Sequence, residues 1–363
     1  MRISHIEFKG NIYEQGLAHG EALRESIEKN IDVYLHRFED EAGIDQKELL
    51  ERTKLYLTPF QKQSPEYMSG IEGVAKGSNI DILKILMLNL RYELLYYELG
   101  RKKQEDAVDG CTSFAILAES TKNKHLLMGQ NWDWIPDVEC VLVTNIDDDG
   151  LRRISFVEAG ILAGKPGINS EGIGLAVNGM YSTSDDWSRF YKPFHVRCYE
   201  TLRSKSLSEA ISLLTDTPRS CTANFLIGHS SQGAVDIELA PETMNIIDPT
   251  KDVLSHANHF VNPELLDITE PLNPRRYLSE FRHKHMEDLL LKHKPLDVEK
   301  MKNILSDHDN YPQSICRHVD NSLPQSQQTI TKTSMIMDLQ KQSIWYSNGN
   351  PCENDFKEYS LSS

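Results

Sequence analysis

The 363-residue sequence has no long apolar run. Its most hydrophobic stretch, residues 80–99, carries Asp81, Lys84, Arg91 and Glu93, so it reads as a buried helix and not a bilayer span. Positive charge is scarce: 39 Lys+Arg stand against 54 Asp+Glu, a net charge of -15. Such a surface repels phosphate backbones and anionic headgroups, which argues against nucleic-acid and membrane partners; acidity for solubility alone is the plain alternative. The six cysteines, at 111, 140, 198, 221, 316 and 352, form no CxxC pair, which excludes a zinc knuckle or a redox motif of that kind. The first nine residues alternate charge and bulk and lack the apolar core of a signal peptide. A cytoplasmic protein with free thiols is therefore expected. A Gly-rich phosphate loop, internal repeats and low-complexity segments are also missing.

What is present suits an ordinary globular chain, with 39% apolar and 26% charged residues and enough length for a sizeable core. Residues 1 to about 105 read as helical. Within 13–41, Leu17, Leu23, Ile27, Ile31 and Leu35 recur at helical spacing. Asp45 stands as an N-cap, a helix is expected over 65–75, and Asn79 or Asp81 caps the apolar helix ending at Gly100. Residues 101–110 are charged and aperiodic, a linker. Short strand candidates then dominate: 112–117, 125–129, 141–146, 153–158, 172–178, 223–229, 234–239, 253–256, 329–338 and 343–347. Helices are expected over 206–215 and, as a pair, over 276–305. The reading is α+β, with a helical N-terminal segment 1–110 and a mixed catalytic part 111–363.

The junction between the two is Asp109-Gly110-Cys111-Thr112-Ser113. A lone cysteine between a linker and a strand is most often an ordinary thiol, as the other five are taken to be. Here glycine precedes it and leaves the preceding carbonyl unshielded. Attack by Cys111 on that carbonyl would move the acyl group from nitrogen to sulfur, and water would then cut the chain. The new α-amine titrates near pH 7.7–8.0 in peptides, so it can serve as the general base for its own thiol.

This segment resembles the mature N-terminus of the N-terminal nucleophile (Ntn) hydrolases. More narrowly, it is similar to the acyl-coenzyme A:6-aminopenicillanic acid acyltransferase family, distant relatives of the choloylglycine hydrolases. The resemblance rests on motifs in order along nearly the whole chain. They are residues 10–20 with Gly10, Tyr13, Gly16, His19 and Gly20, then Gly129-Gln-Asn131-Trp132-Asp133-Trp134, then Asn169 to Gly172 leading to Asn178. His256-Ala-Asn258-His259-Phe260, Asp307-His308, Ser314-Ile-Cys316-Arg317-His318 and Gly349-Asn-Pro351 complete the set. It implies an Ntn-hydrolase four-layer αββα sandwich, whereas strand counting alone supports only a mixed α+β domain.

The resemblance also implies roles. Asp133 would orient the α-amine of Cys111, the plain alternative being a turn aspartate bonded to backbone N–H groups. Asn258 would supply the oxyanion donor. Asn178 is a secondary candidate, Asn131 and Trp132 would shape the pocket wall, and Gln130 fits either side. Arg317 would pair with a substrate carboxylate or sit in a surface salt bridge. His256 and His259 form an HxxH string outside a helix, so no metal is expected, and a hydrogen-bonding His259 is the plainer reading. No cofactor is expected, a CoA thioester being a conceivable substrate, and cleavage would yield a heterodimer of the two pieces. Three readings stay open: an amidohydrolase or N-acyltransferase acting through an acyl-Cys111, an unprocessed small-amide-binding homologue, and a papain-like pairing of Cys111 with His256 or His259.

Overall fold

The structure is a computed structural model that describes residues 5–101, 110–271, 273 and 275–361. Most of the expected linker, 102–109, lies outside the described residues. The chain opens with a strand, β1 (His5–Lys9), where the sequence reading expects helix. Four helices follow: α1 (Ile12–Arg37), α2 (Gln46–Gln63), α3 (Pro65–Ser78) and α4 (Ile82–Arg101). Their starts follow from capping. Asn11 and Glu14 bond reciprocally at the head of α1, and the Asp45 side chain accepts from the backbone of Glu48 at 2.8 Å. Helices α1 and α3 cross in near backbone contact. A Cβ on Gly16, Gly20, Gly73 or Gly77 would lie 2.0–2.4 Å from a carbonyl oxygen of the facing helix.

The second part runs β2 (Cys111–Ile116), β3 (Leu127–Trp134), β4 (Cys140–Ile146), β5 (Arg152–Glu158), β6 (Gly167–Asn169), β7 (Ile173–Gly179), α5 (Phe194–Thr201), α6 (Leu207–Thr215), β8 (Ala223–His229), β9 (Gly233–Leu239), β10 (Met244–Ile247) and β11 (Val253–His256). It closes with α7 (Arg276–Lys292), α8 (Val298–Leu305), β12 (Ile330–Asp338), β13 (Ser343–Asn348) and β14 (Lys357–Ser360). One sheet has the order β1-β4-β5-β6-β7-β8-β9-β10, the other β11-β2-β3-β12-β13-β14. The sheets face each other through β2, β3 and β7, with helices α1 and α4–α6 over the first sheet and α7 and α8 over the second. The expected four-layer αββα sandwich is present.

Strand alternation assigns each face of the second sheet to its own layer. Phe114, Ile116, Leu127 and Ile336 are buried against Met286, Leu290, Met301 and Leu305 of the outer helices. Ala115, Met128, Met335 and Met337 point into the larger core shared with the first sheet. Each of these buried Phe, Ile, Leu or Met side chains contributes about 1.5–3 kcal/mol of transfer free energy. Residues 5–101 are not a body apart: β1 pairs in parallel with β4, and Ile27, Tyr34, Leu88 and Leu94 belong to that same core. The boundary at 110/111 is a point on the chain and not a gap between packed units.

Candidate active site

Strand β2 begins at Cys111, whose register partner is Trp132 on β3. One residue further, the backbone N–H of Asp133 donates to the Gly110 carbonyl at 2.7 Å. The Cys111 backbone N–H donates to Asn258 Oδ1 at 2.8 Å. The peptide joining Gly110 to Cys111 is thus held at both polar atoms. Gly110 is required here by contact, since a Cβ would lie 2.6 Å from Arg317 Nη1 and 2.6 Å from Asp133 Cβ. Cys111 is buried at 6% exposure and is unbridged.

Asp133 is fully buried. Its Oδ1 accepts from Thr331 Oγ1 at 2.6 Å, and its Oδ2 lies 3.5 Å from Arg317 Nε with no hydrogen bond of its own. Burial pushes the carboxyl up to about 6, against the pull of Arg317, Arg282 and the Thr331 hydroxyl. The sequence reading places Arg317 on a substrate or at the surface. Instead it is buried, with Nη1 donating to Thr329 Oγ1 at 3.0 Å and its backbone N–H to Thr331 Oγ1 at 2.8 Å. A surface salt bridge is therefore excluded; its ionic partner is Asp133.

Asn258 presents its oxygen, not its amide nitrogen, to Cys111. Arg282 Nη2 donates to the same Oδ1 at 2.9 Å, while Nδ2 donates to the Gly179 carbonyl at 2.9 Å. A flipped amide would set two donors against NH₂ and one carbonyl against another, so the network fixes the orientation. Arg282 is fully buried on α7 and also donates to Thr112 Oγ1 at 3.2 Å. Nothing in the sequence separates it from the solvated charges of the same helix, and the reading missed it.

Cys111 opens on a small cavity of about 20 Å³, room for one water. Its wall includes Gly110, Trp132, Asp133, Asn258, Tyr92 and Tyr96. Two expected neighbours take other posts. Asn178 does not line this wall: its Oδ1 accepts from Ser113 Oγ at 2.7 Å and from Asn224 Nδ2 at 3.3 Å, a buried tie between the sheets. Asn131 does not line it either: its Nδ2 donates to the carbonyls of Leu305 and Ile315, towards the outer helices. Gln130 clamps the backbone of Val177, donating to its carbonyl and accepting from its N–H at 3.2 Å. A larger groove of about 670 Å³, lined by Glu21, Arg24, Lys29 and Glu139, opens elsewhere on the surface.

His256 has both ring nitrogens engaged, at 2.9 Å from the Ala257 carbonyl and 3.0 Å from Glu238 Oε1, which leaves none to serve a thiol. His259 Nδ1 lies 2.8 Å from Ser279 Oγ, the plain hydrogen-bonding role expected of it. Behind the cavity, Glu158 is buried with Arg91, Tyr34 and Lys165, the last at 3.1 Å. Burial pushes the Glu158 carboxyl up, yet Arg91 and Lys165 hold it down at about 2. This cluster joins the N-terminal helices to β5 beneath Trp134, whose Nε1 donates to Tyr34 Oη at 2.7 Å.

Residues 120–353 match the family model "Acyl-coenzyme A:6-aminopenicillanic acid acyl-transferase". The chain is also 30% identical over 316 residues to the acyl-coenzyme A:6-aminopenicillanic-acid-acyltransferase 40 kDa form of Emericella nidulans, covering 86% of this chain and 84% of that one. The chain belongs to this acyltransferase family. Both the family model and this relative are named as acyltransferases. Among solved structures, penicillin V acylase from Agrobacterium tumefaciens superposes with a TM-score of 0.49 at 12% identity, over 70% of this chain and 87% of its own. A conjugated bile acid hydrolase from Clostridium perfringens does so with a TM-score of 0.46 at 14% identity, over 69% and 97%.

Proposed function

We propose that this chain is a self-processing cysteine enzyme that cuts itself between Gly110 and Cys111 and then cleaves or transfers the acyl group of a small-molecule amide. The observation that carries this is the double hold on one peptide: its oxygen on the Asp133 N–H and its nitrogen on Asn258 Oδ1. In the first reaction Cys111 Sγ attacks the Gly110 carbonyl carbon. Charge growing on that oxygen meets the Asp133 N–H, a fixed donor of the oxyanion-hole kind. The C–N bond breaks, the thiol proton leaves with the nitrogen, and water hydrolyses the Gly110 thioester.

The freed α-amine stays against Asn258 Oδ1. The Asp133 Oδ2, buried without a hydrogen bond, suits an ammonium as its partner. The amine then serves as base for Cys111 in attack on the substrate carbonyl, forming acyl-Cys111. The remaining hydrogen on Asn258 Nδ2 is the oxyanion donor that this side chain can offer. The acyl group passes to water or to an amine. An acyl-CoA donor is the second reading, favoured by the name of the Emericella relative; the proposed product is a heterodimer of the two pieces.

The test is a denaturing gel with mass spectrometry on purified protein. The mass of 41.5 kDa, divided in the ratio of 110 to 253 residues, predicts fragments of roughly 12.6 and 29 kDa. Cys111→Ala should leave one band and no amidase or acyltransferase activity. A wild-type chain that stays whole and hydrolyses amides at full rate would overturn the reading. Supplying an acyl donor with and without an acceptor amine separates transfer from hydrolysis.

A further inference from the structure

Four metal-ligating side chains that take no part at Cys111 converge between two loops. His308, Cys316 and His318 lie on the loop between α8 and β12, and Cys352 lies on the turn between β13 and β14. Their ligand atoms all fall within 4.8 Å of one another. Cys316 Sγ is 3.5 Å from Cys352 Sγ and 3.8 Å from His318 Nε2. His318 Nε2 is in turn 3.3 Å from Cys352 Sγ and 3.2 Å from His308 Nε2. Tetrahedral zinc, with Zn–S about 2.3 Å and Zn–N about 2.0–2.1 Å, sets its ligand atoms about 3.3–3.8 Å apart. Four of the six separations, 3.2–3.8 Å, are those of the corners of one coordination shell, and all six lie within 4.8 Å.

We propose that His308, Cys316, His318 and Cys352 bind one zinc ion. Two sulfurs and two imidazole nitrogens in a compact cluster select zinc among common divalent ions. All four corners come from protein, so the site is closed and structural. Binding releases the two thiol protons to solvent. Supporting contacts surround it: Asn350 Nδ2 donates to Cys316 Sγ at 3.5 Å, and His318 Nδ1 lies 3.9 Å from Glu353 Oε1. Spacing along the chain hides this set, because the fourth ligand stands 34 positions beyond His318.

The site has a mechanical link to Asp133. Arg317 sits between two ligands in sequence, and its carbonyl accepts from Asn350 Nδ2 at 2.7 Å and from the Thr331 N–H at 3.0 Å. Zinc on Cys316 and His318 would hold that backbone and so aim the guanidinium at Asp133. Arg317 is in this sense a positioning residue, and the ion acts through it.

The experiment uses full-length protein purified under reducing conditions from cells supplied with zinc. Elemental analysis should find about one zinc per chain. The exposed ligands allow gentle variants: Cys352→Ser and His308→Ala should each weaken zinc retention against a chelator by more than about tenfold. Cobalt(II) substituted into the wild type should show thiolate charge-transfer and tetrahedral ligand-field bands, a readout independent of whether the variants fold. Three results would each overturn the proposal: zinc content equal in wild type and variants, cobalt bands without thiolate character, or an intact mass short of two hydrogens, the sign of a Cys316–Cys352 disulfide.

Discussion

At the scale of single residues, the site turns on contacts too close for substitution. Gly110→Ala would drive a Cβ into Arg317 and Asp133. Self-cleavage should slow by at least about tenfold, at a stability cost of about 1–3 kcal/mol, read as the time course of fragment appearance and by thermal melting. Asp133→Asn keeps the shape and the backbone N–H that faces Gly110, but removes the buried charge. Cutting should therefore persist while turnover falls, and equal loss of both would place the carboxylate in the cutting step as well. Asn258→Ala should lower kcat by about 100-fold, because the Cys111 nitrogen loses its acceptor and the substrate its oxyanion donor.

Among the secondary elements, α7 delivers Arg282 to Asn258, and β11 delivers His256 to Glu238. Arg282→Met should reduce both cutting and turnover by about tenfold or more, and Arg282→Lys should not restore them, since only the fork reaches Thr112 and Asn258 together. His256 gives a pH signature. Burial lowers its affinity for protons, but Asp236 and Glu238 raise it to about 9, above the ordinary 6.5. Its stabilisation is complete below about pH 6.5 and is lost as pH rises through about 9. The wild-type Tm should fall over that window, and His256→Gln should flatten the fall; a parallel fall in both proteins would refute it. Alternation along strands was legible in sequence, which is why most core strands follow from it; the Cys111–Trp132 pairing was not, because β3 runs to Trp134, beyond the strand expected over 125–129. The finer consequence of alternation was available for Asn178, which stands one step out of phase with the cavity-lining Val177 and Gly179. Strand β1 was not legible, since only Phe8 of its five residues is buried and its hydrogen bonds go to a strand over 130 residues away.

Across the whole molecule, the two chain segments share one core, so the N-terminal helices form part of the wall of the Cys111 cavity. Arg91, Tyr92 and Tyr96 reach the Cys111 cavity from α4, and β1 completes the edge of the first sheet. The cut pieces should therefore elute as one species on gel filtration and part only in denaturant. The family resemblance announced the layers, and it named Cys111, Asp133 and Asn258, which the fold brings to one cavity. It could not announce Arg282, the Asp133 N–H or the four converging ligands at His318, because these are facts of distance between segments that no local pattern encodes.

The parallel strand β1 carries a consequence for the life of the molecule. While the chain is continuous, β1 and α1 are tethered to the sheet they complete, and refolding is a first-order search. Were the bond at Gly110 cut as proposed, an unfolded molecule would be two molecules, and recovery would require an encounter between them. Its native state then depends on concentration, and dilution after denaturation should trap it unfolded while Cys111→Ala returns. On the proposed cleavage, the protein folds as one chain and persists as a pair whose durability is kinetic, set once at birth.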